Sequence, residues 1–188
     1  MDYKEIENWI LNRLPFYQNS GSVAYKPGLD NINKFIKEHN IQSIVDYGCG
    51  DISNIKHFNN DYTGIDISDY IINKCKDIYK NDSSKQFYTC VEYINNNINK
   101  QCELTLSLDV IFHIKDDDLY WEHLYNLIDS SSKYIIIYSS DTLDKNINNK
   151  TNDSSSYHRN FSKDMEKMFR KCKLIDTIPQ KFPNYNKL

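Results

Sequence analysis

The chain has 188 residues, a formal net charge of −3 and five cysteines. That length suits one domain built on a sheet with helices on both faces, and the acidic balance excludes the broad positive field of a nucleic-acid binder. Cys49, Cys75, Cys90, Cys102 and Cys172 are odd in number, widely spaced and free of any CxxC pair, which fits reduced thiols and excludes a disulfide or zinc framework.

In chain order, Ile6, Ile10, Leu11 and Leu14 with Trp9 predict a helix over 3–14, ended by Pro15. Its start, MDYKEIENWI, carries acids and no apolar signal core, so a cytoplasmic location is expected. Asn19 to Ser22 is a polar break. Pro27-Gly28 opens a second helix on Leu29, Ile32, Phe35 and Ile36, so residues 1–40 read as a helical cap.

A strand over 42–47 follows, then the glycine turn Asp46-Tyr47-Gly48-Cys49-Gly50-Asp51, a short helix over 52–58 and a strand over 61–66 that ends on Asp66. Strand, glycine turn, helix, strand and terminal acid form the first half of a nucleotide-binding unit. Asp69 is the expected N-cap of a helix to about Tyr79. A strand over 86–91, an amphipathic piece over 91–98 and a strand over 104–108 ending on Asp109 come next.

Asp116-Asp117-Asp118 starts a helix where its dipole favours acids, with Leu119, Trp121, Leu124, Leu127 and Ile128 as apolar positions. Tyr134 to Tyr138 is a continuous apolar run, as in a strand covered on both faces. Residues 139–157 are a polar loop, followed by a helix over 162–172 and a strand over 173–178. The alternation predicts one α/β domain with a mostly parallel sheet: cap 1–40, core 41–140, and loop, helix and last strand 141–188. No run approaches the roughly 20 apolar residues of a membrane span.

Four segments, VDYGCGD, TGIDIS, LTLSLDVIFHI and YIIIYSS, stand at the ends of predicted strands in this order. Together they resemble the motif series of class I S-adenosylmethionine-dependent methyltransferases, over roughly 41–140. The tail SSYHRNFSKDMEKMF is similar to small bacterial members, some of which accompany genes for surface-polysaccharide or capsule decoration. The resemblance implies a Rossmann-like fold, S-adenosylmethionine as cofactor, S-adenosylhomocysteine as product and a small-molecule or sugar/phosphate-type acceptor. Two departures stand out. Ile52 takes a place where relatives often keep glycine. The usual last hairpin is absent, so strand seven is expected to be missing, shortened or completed by another chain. Monomer, homodimer and partnered forms are all open.

Under that resemblance Asp46, Tyr47, Gly48, Cys49 and Gly50 face the methionine part of the cofactor, and free amides there suit a carboxylate. Asp66 is the ribose candidate and Ile67 the adenine face; the ordinary alternative for Asp66 is a helix cap. Glu92 borders adenine or merely starts a helix. Leu108, Asp109 and Val110 hold the cofactor's amino group, mainly through backbone carbonyls. His113 is the candidate general base for an alcohol or amine, or a histidine packed near the helix start. His158 and Arg159 are candidates to clamp an acceptor phosphate or carboxylate, or form a solvated helix start. Tyr25 is a candidate for the opposite wall. The pattern of metal-dependent relatives is incomplete around Asp109 and Asp141, so no metal is expected. An NAD-dependent oxidoreductase and a catalytically silent partner subunit are the competing readings.

Overall fold

The computed structural model describes residues 8–13, 26–51, 58–96, 98, 101–141, 157–169 and 172–179, with residues 8–13, 26–29 and 178–179 described by backbone alone. The elements are β1 (Asn8–Arg13), α1 (Lys26–Glu38), β2 (Ser43–Tyr47), β3 (Asp61–Asp66), α2 (Asp69–Ile78), β4 (Lys85–Thr89) and α3 (Cys90–Asn95). Then come β5 (Cys102–Leu108), a 3-10 turn (Ile111–His113), α4 (Asp117–Ser130), β6 (Ser131–Ser139), α5 (Phe161–Met168) and β7 (Leu174–Pro179).

Seven strands form one sheet in the order β4-β3-β2-β5-β6-β1-β7. Every pairing is parallel. The pleat sorts side chains onto two faces. Val45, Tyr47, Ile135 and Ile137 pack with Leu124 and Leu127 of α4 and with Phe161 and Met165 of α5. On the other face Ile44, Leu104, Leu106 and Ile136 pack with Ile32 and Ile36 of α1 and with Ile72 and Cys75 of α2. The strands therefore read as apolar runs because both faces are covered.

The first predicted helix is overturned, and with it the purely helical cap. Residues Asn8–Arg13 are a strand lodged between β6 and β7, with Ile10 beside Ile136 on one side and Asp176 on the other. Five residues in that slot, Trp9 to Arg13, pair both their edges, and Trp9 and Ile10 suit a strand as well as a helix.

Smaller corrections concern helix starts. Ser68, not Asp69, caps α2, its hydroxyl accepting from the Ile71 N–H at 3.3 Å. β4 ends at Thr89, because Thr89 and Glu92 form a capping box that turns Cys90 and Val91 into α3. Residues 52–57 of the predicted helix over 52–58, residues 142–156 of the predicted loop over 139–157, and Tyr25 lie outside the described residues. Among the described residues no helix is long and apolar enough to cross a membrane.

Candidate functional site

The site forms at the C-terminal ends of β2, β3, β5 and β6, where loops leave a parallel sheet and ligands bind. At the end of β2 the chain reverses through Gly48 and Gly50, with φ of 84° and 55°. Only glycine takes such angles without strain. The N–H groups of Gly48 and Cys49 both donate to the Ile65 carbonyl, at 2.7 and 3.0 Å, folding the turn over β3. Gly64 permits this, since a Cβ there would lie 2.9 Å from Cys49 Sγ. A Cβ on Gly48 would lie 2.3 Å from Val110 Cγ2, so the end of β5 presses directly on the turn. A Cβ on Gly50 would meet nothing within 4 Å, and the turn is open at that point.

Three acidic residues stand at the strand ends near this turn: Asp46 on β2, Asp66 on β3 and Asp109 just after β5. Asp66 ends β3 and accepts the Gly50 N–H on Oδ2 at 2.9 Å and the Ser68 N–H on Oδ1 at 3.0 Å. Asp46 is buried; the Tyr62 hydroxyl donates to its Oδ2 at 2.7 Å, while Oδ1 is buried with no hydrogen-bond partner among the described residues. Burial, chiefly, pushes the Asp46 carboxyl up to about 6 despite the Tyr62 bond. Asp109 ends β5 at φ 59°, its N–H donating to the Tyr138 carbonyl at 2.8 Å. Desolvation pushes its carboxyl up to about 7. None of the three forms an ion pair among the described residues.

Other predicted residues take supporting places. Tyr47 points to the α4 face, its hydroxyl 2.6 Å from Ser130 Oγ, so only its backbone belongs to the turn. Cys49 and Leu108 are buried in the core. Burial pushes the Cys49 thiol far up, and the nearby Asp46 and Asp66 add to that, so it stays protonated. Ile67 follows Asp66 and is 86% exposed.

Glu92 is corrected to a cap. One of its oxygens accepts the Thr89 N–H at 2.9 Å, and both face Lys76 Nζ at 3.0 and 2.9 Å. Those hydrogen bonds, first that to the Thr89 N–H and then the one from Lys76, hold its carboxyl below the ordinary range.

Arg159 is corrected more sharply. Its guanidinium is buried between the rings of Tyr120 and Tyr157, 4.3 and 4.4 Å from their centroids. It donates to the carbonyls of Ile114 and Lys115 and to Asp117 Oδ1. Three of its N–H donations therefore go to the loop after His113 and the start of α4. His158 is buried, with Nδ1 hydrogen-bonded to Ser140 Oγ and its ring stacked 6.0 Å from Phe112. Burial, then the charge of His113, hold it below the usual histidine range. The Tyr157 N–H donates to the Phe112 carbonyl at 2.7 Å, so the 157–159 segment braces the turn that carries His113.

His113 itself is exposed on the 3-10 turn and lines a cleft of about 760 Å³ between α3 and α4. Ile67, Cys90, Tyr93, Leu119 and His123 also line it. His123, which sequence reading missed, has Nε2 2.9 Å from Ser107 Oγ, and burial pushes it down to about 4, so it is neutral near pH 7. Tyr62, Tyr120 and Ser140 were likewise missed; their partners lie 16 to 44 residues away, and no local signal marks them. Among the described residues no cluster of His, Cys, Asp and Glu is arranged to hold a metal ion.

No protein-family model and no curated protein matches the sequence. Solved structures do share its fold. A S-adenosylmethionine-dependent methyltransferase from Clostridium acetobutylicum aligns with 61% of this chain and 50% of its own, at 18% identity and a TM-score of 0.51. The CurJ carbon methyltransferase aligns with 65% of this chain and 37% of its own, at 13% identity and a TM-score of 0.52. The chain thus spans half or less of the length of these proteins. The fold is that of the class I S-adenosylmethionine-dependent methyltransferases, with β1 as a parallel strand between β6 and β7.

Proposed function

We propose that the chain is a methyltransferase that uses S-adenosylmethionine and acts on a small-molecule acceptor with a hydroxyl or amine. The observation that carries this reading is the charge around the glycine turn. Asp46 and Asp66 lie close enough there for their charges to act on one another, with no ion-pair partner among the described residues. A pyrophosphate beside them is unfavourable: two like charges 4 Å apart repel by about 4 kcal/mol at an effective dielectric of 20. A ligand with an ammonium and a sulfonium is favoured for the same reason. This argues against the NAD-dependent alternative.

The residues fit the cofactor. The open face of Gly50 admits a close approach, and the orphaned Asp46 Oδ1 offers a buried acceptor to an ammonium. Each Asp66 oxygen has a second lone pair for a ribose diol. Ile67 offers an apolar plane to adenine. When bound, the cofactor supplies an activated methyl group, so the protein mainly positions and desolvates the reactants.

His113 stands exposed at the cleft to accept the proton that an alcohol or amine must lose. The engagement of Arg159 with Ile114, Lys115 and Asp117 removes the main support for a phosphate or carboxylate clamp. The surface-polysaccharide setting draws on the sequence resemblance alone. Titration with S-adenosylhomocysteine and with NADH tests the reading: saturable binding of the first and not the second is expected, and the reverse overturns it.

A further inference from the structure

The cleft between α3 and α4 has a rim and an inner wall of different character. At the rim Ile67, Ile94 and Leu119 are more than half exposed. The charged residues that line the cleft, Lys115, Glu122 and Asp129, are exposed too. The inner wall consists of Tyr47, Ile65 and Ser130, all buried, with Tyr93 and His123 half-buried beside them. Charge is thus confined to the rim, and the inner end presents apolar and aromatic surface.

Three rings shape that inner end. Tyr47 stands edge-on to Tyr93 and to His123, with centroids 6.2 and 6.1 Å apart. The hydroxyls of Tyr47 and Ser130 take each other up at 2.6 Å. His123 keeps a polar atom in reserve. Its Nε2 lies 2.9 Å from Ser107 Oγ, while Nδ1 is neither paired among the described residues nor sealed from solvent. Burial holds the imidazole near 4, so it is neutral and carries one ring hydrogen. If the Ser107 hydroxyl donates to Nε2, Nδ1 is left as a donor; if Nε2–H donates to Ser107, Nδ1 is left as an acceptor. A hydroxyl meets either tautomer, because it both donates and accepts. A carboxylate only accepts and an ammonium only donates, and either charge is costly to bury against an uncharged wall.

We propose that the inner end of this cleft is a binding site for an uncharged aromatic ring bearing a hydroxyl, a phenol, which packs among Tyr47, Ile65 and Tyr93 and shares a hydrogen bond with His123 Nδ1. A ring suits these walls because aromatic pairs favour edge-to-face contact. The size also suits: the cleft is about 760 Å³, within the range of small-molecule sites. An apolar cavity of about 150 Å³ is enough for benzene, so the rim keeps room for a second ring on Ile67. The site stands apart from the cofactor reading above, since no cofactor atom takes part in it.

The test is titration of p-cresol, toluene and p-toluate into the intact chain, followed through the side-chain resonances of nitrogen-15-labelled histidine. p-Cresol is expected to saturate, to move the resonances of His123, and to bind about fivefold more tightly than toluene, the effect of one neutral hydrogen bond. p-Toluate, similar in shape but charged, should bind at least tenfold more weakly than p-cresol. His123→Phe keeps a ring and removes both nitrogens; it should still bind toluene and lose the preference for p-cresol. Equal binding of p-cresol and toluene in wild type, or a preference that survives in His123→Phe, overturns the proposal. Should the variant not fold, His123 resonances unmoved by saturating p-cresol in wild type overturn it alone. Saturating S-adenosylhomocysteine should leave p-cresol affinity within twofold; displacement would make the inner end part of the cofactor pocket and overturn the proposal as well. If S-adenosylhomocysteine itself does not bind, the cofactor reading falls and the p-cresol results decide this proposal alone.

Discussion

Asp66 locks the glycine turn to the end of β3: its Oδ2 accepts the Gly50 N–H at 2.9 Å while Oδ1 accepts the Ser68 N–H at 3.0 Å. One carboxylate thus shapes the turn and holds Ser68, the N-cap residue of α2. Asp66→Ala should weaken S-adenosylhomocysteine binding at least tenfold and lower stability by about 1–3 kcal/mol, the usual range for hydrogen bonds to a charged group. Calorimetric titration and urea unfolding measure the two effects. Unchanged affinity would remove Asp66 from the cofactor.

Gly48→Ala combines a disfavoured φ of 84° with a contact of 2.3 Å to Val110 Cγ2. The backbone cost is roughly 1–2 kcal/mol and the overpacking roughly 1–3 kcal/mol. Adding Val110→Ala should relieve the second part and leave the first. A double-mutant cycle in urea reads the coupling, and simple additivity of the two substitutions would contradict the close approach.

Arg159→Ala leaves the Ile114 and Lys115 carbonyls without their donor and removes the ring stack of Tyr120 and Tyr157. The expected result is a loss of about 2–4 kcal/mol in stability and a lower kcat, because the turn bearing His113 loses its brace. Affinity for S-adenosylhomocysteine should stay within threefold. Arg159→Lys should not rescue kcat, since an ammonium lacks the planar fork that spans two carbonyls and a carboxylate. Full rescue by lysine would point instead to a simple charge.

The pH dependence of stability has a defined sign at Asp109. Its native carboxyl sits near 7, above the unfolded value of 3.8, so the native state holds the proton more tightly. That contribution is present at low pH and is lost as pH rises between about 4 and 7. Asp109→Asn should therefore be more stable than wild type at pH 8, and the gap should close below pH 4. Chemical unfolding at the two pH values checks it; a gap that widens on acidification would reverse the assignment.

Much of the core was legible in the residues. The runs Tyr134 to Tyr138 and Leu104 to Leu108 announce covered strands, and Asp66 and Asp109 mark where two strands end. Thr89 and Glu92 also carried a readable capping signal, which explains why Glu92 is a cap. β1 was not legible, because Ile6, Ile10 and Leu14 fit a helix and its strand partners lie more than 100 residues away in sequence. The fate of Arg159 was hidden for the same reason: Tyr120 and the Ile114 carbonyl reach it only through the fold. Local pattern reports an element's type only where distant pairing does not override it, as it does at β1, and the occupancy of a polar side chain is set by distant chain.

His113→Ala should lower turnover at least a hundredfold, within the usual range for a lost general base, while S-adenosylhomocysteine affinity changes less than threefold. Equal loss of both would make His113 a binding residue.

Calorimetric titration of S-adenosylhomocysteine into the intact chain tests the central claim most directly. Saturable binding at one ligand per chain, weakened at least tenfold in Asp66→Ala, is the predicted result. No binding at millimolar ligand, or binding of NADH in its place, would contradict it.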